Sequence, residues 1–200
     1  MAPAVRPLVL ASSSRYRRAL LERLGLGFEC ATPCVDETPH AGEPFESLAV
    51  RLAALKARAV ARNFPHALII GSDQVASCAG ERMDKPGTHD NAVSQLRRMS
   101  GRKAHFDTAV SVLDAASGKL TTRSVPCEVR FRVLSDALIE EYLRREQPYD
   151  CAASAKSEGL GIALIASIRT DDPTSLIGLP LIALTELLAE SGLPVLGGSR

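Results

Sequence analysis

The sequence predicts an α/β fold. Short apolar runs alternate with longer stretches whose apolar residues recur at helical spacing, and Ser, Gly and Pro punctuate the junctions. An apolar share of 46% in 200 residues is enough for a core and too high for disorder. That length suits one domain, which we take as residues 1–200 with two lobes.

The elements follow in order. Leu8-Val9-Leu10-Ala11 reads as a buried first strand. Ser12-Ser13-Ser14 offers caps for a helix from about Arg15 to Leu24, with Ala19, Leu20 and Leu24 as its apolar stripe. Gly25 and Gly27 end that helix, and Phe28 to Ala31 reads as a second strand. Glu46 to Arg62 predicts a helix with Leu48, Leu52, Leu55 and Ala59 on one side. Ala67 to Ser72 is the clearest buried strand and is expected to deliver Asp73 to its end. A helix over Asn91 to Met99 precedes strands at Ala104 to Leu113 and Val125 to Val133, the latter with Val129, Phe131 and Val133 on one side. Ser135 caps a helix through Arg145, acidic early and basic late as the helix dipole prefers. Pro180 sits near the start of a last helix ending around Ser191, and Gly197 to Arg200 reads as a frayed tail.

Composition excludes several functions. Formal net charge is +1, from 24 basic and 23 acidic residues, which argues against a nucleic-acid binder but not against a small anionic ligand. The absence of tryptophan and the few aromatic residues disfavour stacking on single strands. No apolar run reaches the roughly 18 residues that span a membrane, and Met1 to Pro7 lacks the apolar core of a signal peptide. Cys30, Cys34, Cys78, Cys127 and Cys151 form no CxxC pair, so free thiols in a reduced cytoplasm are expected. His40, His66, His89 and His105 form no recognisable catalytic pair and are taken as surface or loop residues.

Five segments hold residues suited to chemistry. In Ser12 to Arg18 a helix start exposes unpaired N–H groups beside hydroxyls and arginines, which suits a phosphate, although an ordinary Ser cap with solvated arginines would look the same. Asp36-Glu37 in Val35-Asp36-Glu37-Thr38 are adjacent carboxylates in a loop, able to hold a hard cation or simply to be solvated. Asp73, in Gly71-Ser72-Asp73-Gln74, follows a buried strand, where open α/β sheets place ligands; it suits metal binding or proton transfer from water. Lys85 precedes a Pro-Gly turn that fixes its backbone, and Lys56 stands on the helix after the acidic loop; both are candidate cations. Glu158, in Lys156-Ser157-Glu158-Gly159-Leu160-Gly161, lies between small residues that permit close approach to a ligand.

Taken in order, Leu10-Ala11-Ser12-Ser13-Ser14-Arg15-Tyr16-Arg17-Arg18, Val35-Asp36-Glu37-Thr38, Ile70-Gly71-Ser72-Asp73-Gln74-Val75, Asp84-Lys85-Pro86-Gly87-Thr88, Lys156 to Gly161 and Leu176-Ile177-Gly178-Leu179-Pro180-Leu181 resemble the Maf family of nucleotide pyrophosphatases, from about Leu8 to Leu188. The resemblance implies a two-lobed mixed sheet of the Maf and inosine-triphosphatase type, flanked by helices around a central cleft. It also implies cleavage of a nucleoside triphosphate between its α- and β-phosphates, and a homodimer. Within the family, Tyr16, Gln74 and Glu158 resemble the branch assigned to 7-methyl-GTP, where Tyr16 could stack on a cationic purine and Glu158 could complement its charge and N–H donors. Arg15 departs from the family's usual Pro. On this basis Ser12, Ser14, Arg17, Lys56 and Lys85 are expected to bind phosphate. Glu37 and Asp73 are expected to hold Mg²⁺ or Mn²⁺, with Asp73 as general base. The alternatives left open are a dTTP or UTP pyrophosphatase of the same family, a phosphatase removing terminal phosphate, and a non-catalytic nucleotide-binding regulator of cell division.

Overall fold

The computed structural model describes residues 6–197, so the predicted tail lies outside the described residues from position 198 onward. Strands β1 (Leu8–Ala11), β2 (Glu29–Ala31), β3 (Leu68–Cys78), β4 (Glu81–Arg82), β5 (Lys103–Asp114), β6 (Leu120–Phe131) and β7 (Ile165–Arg169) form one sheet. Its order is β2-β1-β3-β5-β6-β7, with β4 on β3. β1 pairs in parallel with both β2 and β3, and every other pairing is antiparallel. The sheet is therefore mixed, as expected.

The helices are α1 (Arg15–Glu22), α2 (Phe45–Val60), α3 (His89–Met99), α4 (Asp136–Glu146) and α5 (Leu181–Glu190). Their starts follow local chemistry. Ser14, Thr88 and Ser135 cap α1, α3 and α4 by accepting from the N–H groups of Arg17, Asn91 and Leu138. Helix α2 covers one face of the sheet, with Leu48 and Leu52 against Val75 and Ala109, and Ala57 and Val60 near Val9 and Ile69. The other face carries two apolar clusters. Leu20, Leu21, Leu184 and Leu187 of α1 and α5 meet Leu10, Ile70 and Val110. Leu96, Met99, Ile139 and Leu143 of α3 and α4 meet Cys78, Phe106 and Phe131. The two clusters draw on different helices, α1 and α5 for one and α3 and α4 for the other.

One glycine sets the spacing on the α2 face. A Cβ on Gly71 would lie 2.1 Å from the Ala53 carbonyl oxygen and 2.8 Å from the Ala57 nitrogen. Helix and strand backbones thus touch here as only glycine allows.

Several expectations are corrected. Asp73 does not end its strand: β3 runs on to Cys78, held by eleven consecutive register pairs with β5, from Leu68↔Asp114 to Cys78↔Ala104. What ends near Asp73 is the neighbour. β1 pairs with β3 only as far as Ala11↔Gly71, and β4 begins only at Ser77↔Arg82. The buried stripe of α2 is Leu48, Ala49, Leu52, Ala53, Lys56, Ala57 and Val60, while Leu55 and Ala59 face outward, because the buried side passes through a lysine. Ala19 of α1 is likewise exposed. β6 stops at Phe131 and leaves Val133 86% exposed. The short strands β4 and β7 carry no clear period-2 pattern, and the sequence reading assigned neither.

Candidate functional site

A cleft of about 640 Å³ opens where β3 has lost β1 as a neighbour and not yet gained β4. Residues from both faces of β3 reach it there: Asp73 and Val75 from the α2 side, Gln74 and Ala76 from the other. Ser12, Ser14, Tyr16, Arg17, Glu37, Lys56, Asp73, Gln74, Lys85 and Glu158 all line it, whereas Asp36 stays outside and accepts from the Thr38 N–H.

The groups fall into two sets. The first centres on Lys56, which is 7% exposed on the buried side of α2. Its ammonium lies 2.5 Å from Asp73 Oδ1 and 2.7 Å from Glu37 Oε1. Asp73 is equally buried, and its Oδ2 takes no hydrogen bond among the described residues. The close approach at Gly71 brings α2 near enough to β3 for the lysine to reach. Arg17 donates through Nε to the Gly178 carbonyl at 2.8 Å. Burial pulls the Arg17 pKa down, opposed by the negative charges of Asp73 and Glu37. Burial acts to raise the Glu37 pKa, but the Lys56 hydrogen bond and the charges of Lys56, Lys85 and Arg17 outweigh it and hold the carboxyl below its usual range. Three cations thus face two carboxylates, leaving one net positive charge before any ligand arrives. Ser12 Oγ accepts from the Ser14 N–H at 3.1 Å, Ser14 caps α1, and both serines line the cleft. Arg18 instead turns outward to pair with Glu22.

The second set surrounds Tyr16. Its hydroxyl accepts from Arg15 at 2.7 Å and donates toward the Asp150 carboxylate, 3.1 and 3.2 Å away. The Arg15 guanidinium carbon stands 4.8 Å from the Tyr16 ring centre, and Lys156 Nζ approaches within 5.9 Å. Lys156 is held by Glu146 at 2.6 Å. Glu158 is exposed at the cleft's rim. Gln74 Nε2 lies 2.9 Å from Thr108 Oγ1 and the Ser175 carbonyl and 3.1 Å from the Leu176 carbonyl, so its amide also anchors the segment that forms one cleft wall.

Sequence reasoning missed the support for that wall. Asp172, 2% exposed, accepts from the N–H and hydroxyl of Thr174 and from the N–H of Ile182 and Ala183. It closes the segment into a loop that aims the Gly178 carbonyl at Arg17 and at Ser72 Oγ, 2.9 Å away. An acid before Pro173 and a helix was the available signal, a cap placed nine residues ahead of the helix it caps. Asp150 and Cys151 were also missed; nothing local marks them, because their relevance comes from Tyr16, 134 residues earlier.

The metal expectation meets a specific donor set. Glu37 and Asp73 converge on one point, now spanned by Lys56, and no group of three or more His, Cys, Asp or Glu suited to an ion occurs among the described residues. Two carboxylates do not cage a metal, but they fit an Mg²⁺-type ion that completes its shell with water and substrate phosphates.

The family model described as "Maf-like protein" matches residues 7–191. The chain belongs to the Maf family. Members similar to it include a 7-methyl-GTP pyrophosphatase of Polaromonas sp., 59% identical over 192 residues that cover 96% of this chain and 88% of the relative. Another, of the same description, from Thiobacillus denitrificans is 56% identical and covers 94% of both chains. Among solved structures, the Staphylococcus aureus Ham1 protein aligns with a TM-score of 0.45 at 16% identity, covering 63% of this chain and 72% of that one. This Maf-family chain has no helix among its described residues long and apolar enough to cross a membrane.

Proposed function

We propose that this chain hydrolyses 7-methyl-GTP to the monophosphate and pyrophosphate, a house-cleaning reaction in the cytoplasmic nucleotide pool. The observation that carries the proposal is the meeting, in one cleft, of a buried acid with three cations and of an aromatic ring with two further acids. Relatives covering nearly the whole chain bear the corresponding name.

The triphosphate lies with its phosphates along the first set. Arg17, Lys85 and the start of α1, with Ser12 and Ser14, hold phosphate oxygens. Asp73 Oδ2 accepts a proton from water whose oxygen bonds to the α-phosphorus. The α–β bridging oxygen then leaves with the β- and γ-phosphates as pyrophosphate. Lys56 fixes Asp73 through Oδ1, so the free oxygen is already aimed when substrate enters. Glu37 and Asp73 would hold Mg²⁺ or Mn²⁺ together with the phosphates, and the ion would neutralise charge there. Tyr16, Gln74 and Glu158 select the base. The cysteines are free thiols.

The test is a metal-supplemented panel of 7-methyl-GTP, GTP, dTTP and UTP with both products identified. Preference for 7-methyl-GTP with pyrophosphate released is expected. Preference for dTTP or UTP would overturn the substrate, orthophosphate would overturn the bond cleaved, and binding without product would favour a regulator.

A further inference from the structure

We infer that Tyr16 and Asp150 together form a subsite for a planar, delocalised cation, and that the side chain of Arg15 is its intramolecular occupant. The inference rests on the functional proposal above and adds to it a specificity residue, Asp150, and a competitor, Arg15.

Geometry carries it. A guanidinium is flat and spreads one positive charge over its plane, as a purine alkylated at N7 does over its ring system. Arg15 sets that group over the Tyr16 ring, within the range of cation–π attraction, while one nitrogen lies 3.3 Å from Asp150 Oδ2. The place is therefore built for positive charge from two directions: the ring's electron-rich face and a carboxylate beside its hydroxyl. Burial acts to raise the Asp150 pKa, but hydrogen bonds from Tyr16 and Cys151 and the charge of Arg15 keep it below the usual range, so the acid is ionised at neutral pH. Tyr16 is pushed the other way, by burial first, and remains a phenol able to donate to Asp150.

Arg15 is an exposed occupant, held by one short hydrogen bond to the Tyr16 hydroxyl at 2.7 Å. Its side chain is 72% exposed, and its ion pair with Asp150 is long for a charge-assisted bond. A flexible, exposed arginine yields its place at modest cost. Asp150, Tyr16 and the cleft wall around Cys151 and Ala152 would stay behind to receive a cationic base. A neutral guanine would gain stacking on the tyrosine but nothing from the carboxylate's charge, and it is not repelled by the arginine, whereas a cationic base must drive that charge away. The pair thus discriminates by charge, whereas Glu158 also offers acceptors to N–H groups.

The experiment compares kcat/KM for 7-methyl-GTP and GTP in the wild type, Arg15→Ala and Asp150→Asn. Both substrates carry the same triphosphate, so the ratio isolates the base. Arg15→Ala is expected to raise the ratio about two- to five-fold by removing the competitor, and Asp150→Asn to lower it by a similar factor. Ratios unmoved in both variants, with 7-methyl-GTP still preferred by the wild type, would overturn the subsite and leave the proposed function standing. A wild type without that preference would overturn the proposed function. The subsite is then decided by calorimetric binding of 7-methylguanosine monophosphate against guanosine monophosphate: tighter binding of the methylated form, lost in Asp150→Asn, sustains it, and equal binding removes it. Should Asp150→Asn fail to fold, Arg15→Ala decides alone, because its side chain supports no core; a ratio that falls or stays level in that variant is the contrary result.

Discussion

At the scale of single residues, the cleft depends on one unusual choice, a lysine on the buried side of a helix. Lys56 is sustained there because two carboxylates meet its ammonium. Asp73 gains a fixed orientation and keeps one oxygen open. Asp73→Asn should therefore lower kcat by about 10²–10⁴-fold while the thermal midpoint stays within a few degrees, since an amide oxygen still accepts from Lys56. Wild-type turnover in a folded variant would remove Asp73 from proton transfer. Much of the site at this scale was legible beforehand: Asp73, Arg17, Lys85 and Glu158 stand in local motifs whose neighbours announce them. Lys56 was named as a cation, but its burial was not foreseen, because a periodicity count scores lysine as outward-facing and shifts the stripe to Leu55 and Ala59. Asp150 was invisible because its partner is far away in sequence.

At the scale of elements, the contact between α2 and β3 governs how the residues meet. Gly71→Ala would press a methyl group against the helix backbone at Ala53 and Ala57. It should cost about 3 kcal/mol or more in urea denaturation, towards the upper range for overpacked cores, and reduce activity by moving Lys56 from Asp73. An unchanged urea midpoint would show that the helix yields freely.

The loop before α2 has its own tie. Arg51 grips both oxygens of Glu43, at 2.6 and 2.8 Å, and donates to the Thr38 carbonyl next to Glu37. The Arg51 hydrogen bond, first among the causes, holds the Glu43 pKa down to about 2. A carboxyl depressed in the fold binds its proton more readily when unfolded. The stabilisation is thus whole above the ordinary glutamate range and fades as pH falls through it towards 2. Wild type should be more stable than Glu43→Gln at neutral pH, and the gap should close on acidification below about pH 5 in urea titrations. A gap constant with pH would contradict the ion pair.

At the scale of the whole molecule, the cleft should behave as one site that metal and nucleotide complete together. Two carboxylates leave most of an ion's coordination shell to the phosphates. A non-hydrolysable α,β-methylene triphosphate with Mg²⁺ should therefore raise the thermal midpoint by more than the sum of the shifts each gives alone. Simple additivity would mean that the ion and the phosphates bind apart. The fold was legible at this scale to the extent that the core announced it: buried strands and capped helices were anticipated, whereas the mixed sheet was implied by the family resemblance and not by the core. The short edge strands were not, because β4 and β7 are settled by their partners and not by a period of their own.

The uneven lengths of β1 and β3 have a lasting effect. A strand zipped along its full length to β5 yet bare on its other margin for a few residues holds its acid still while leaving it within reach. Loops that arrive at that margin from Pro33, Cys151 and Ile177 form the doorway. The guest such a cleft admits can change by redrawing the doorway, with Asp73 and Lys56 left where they stand.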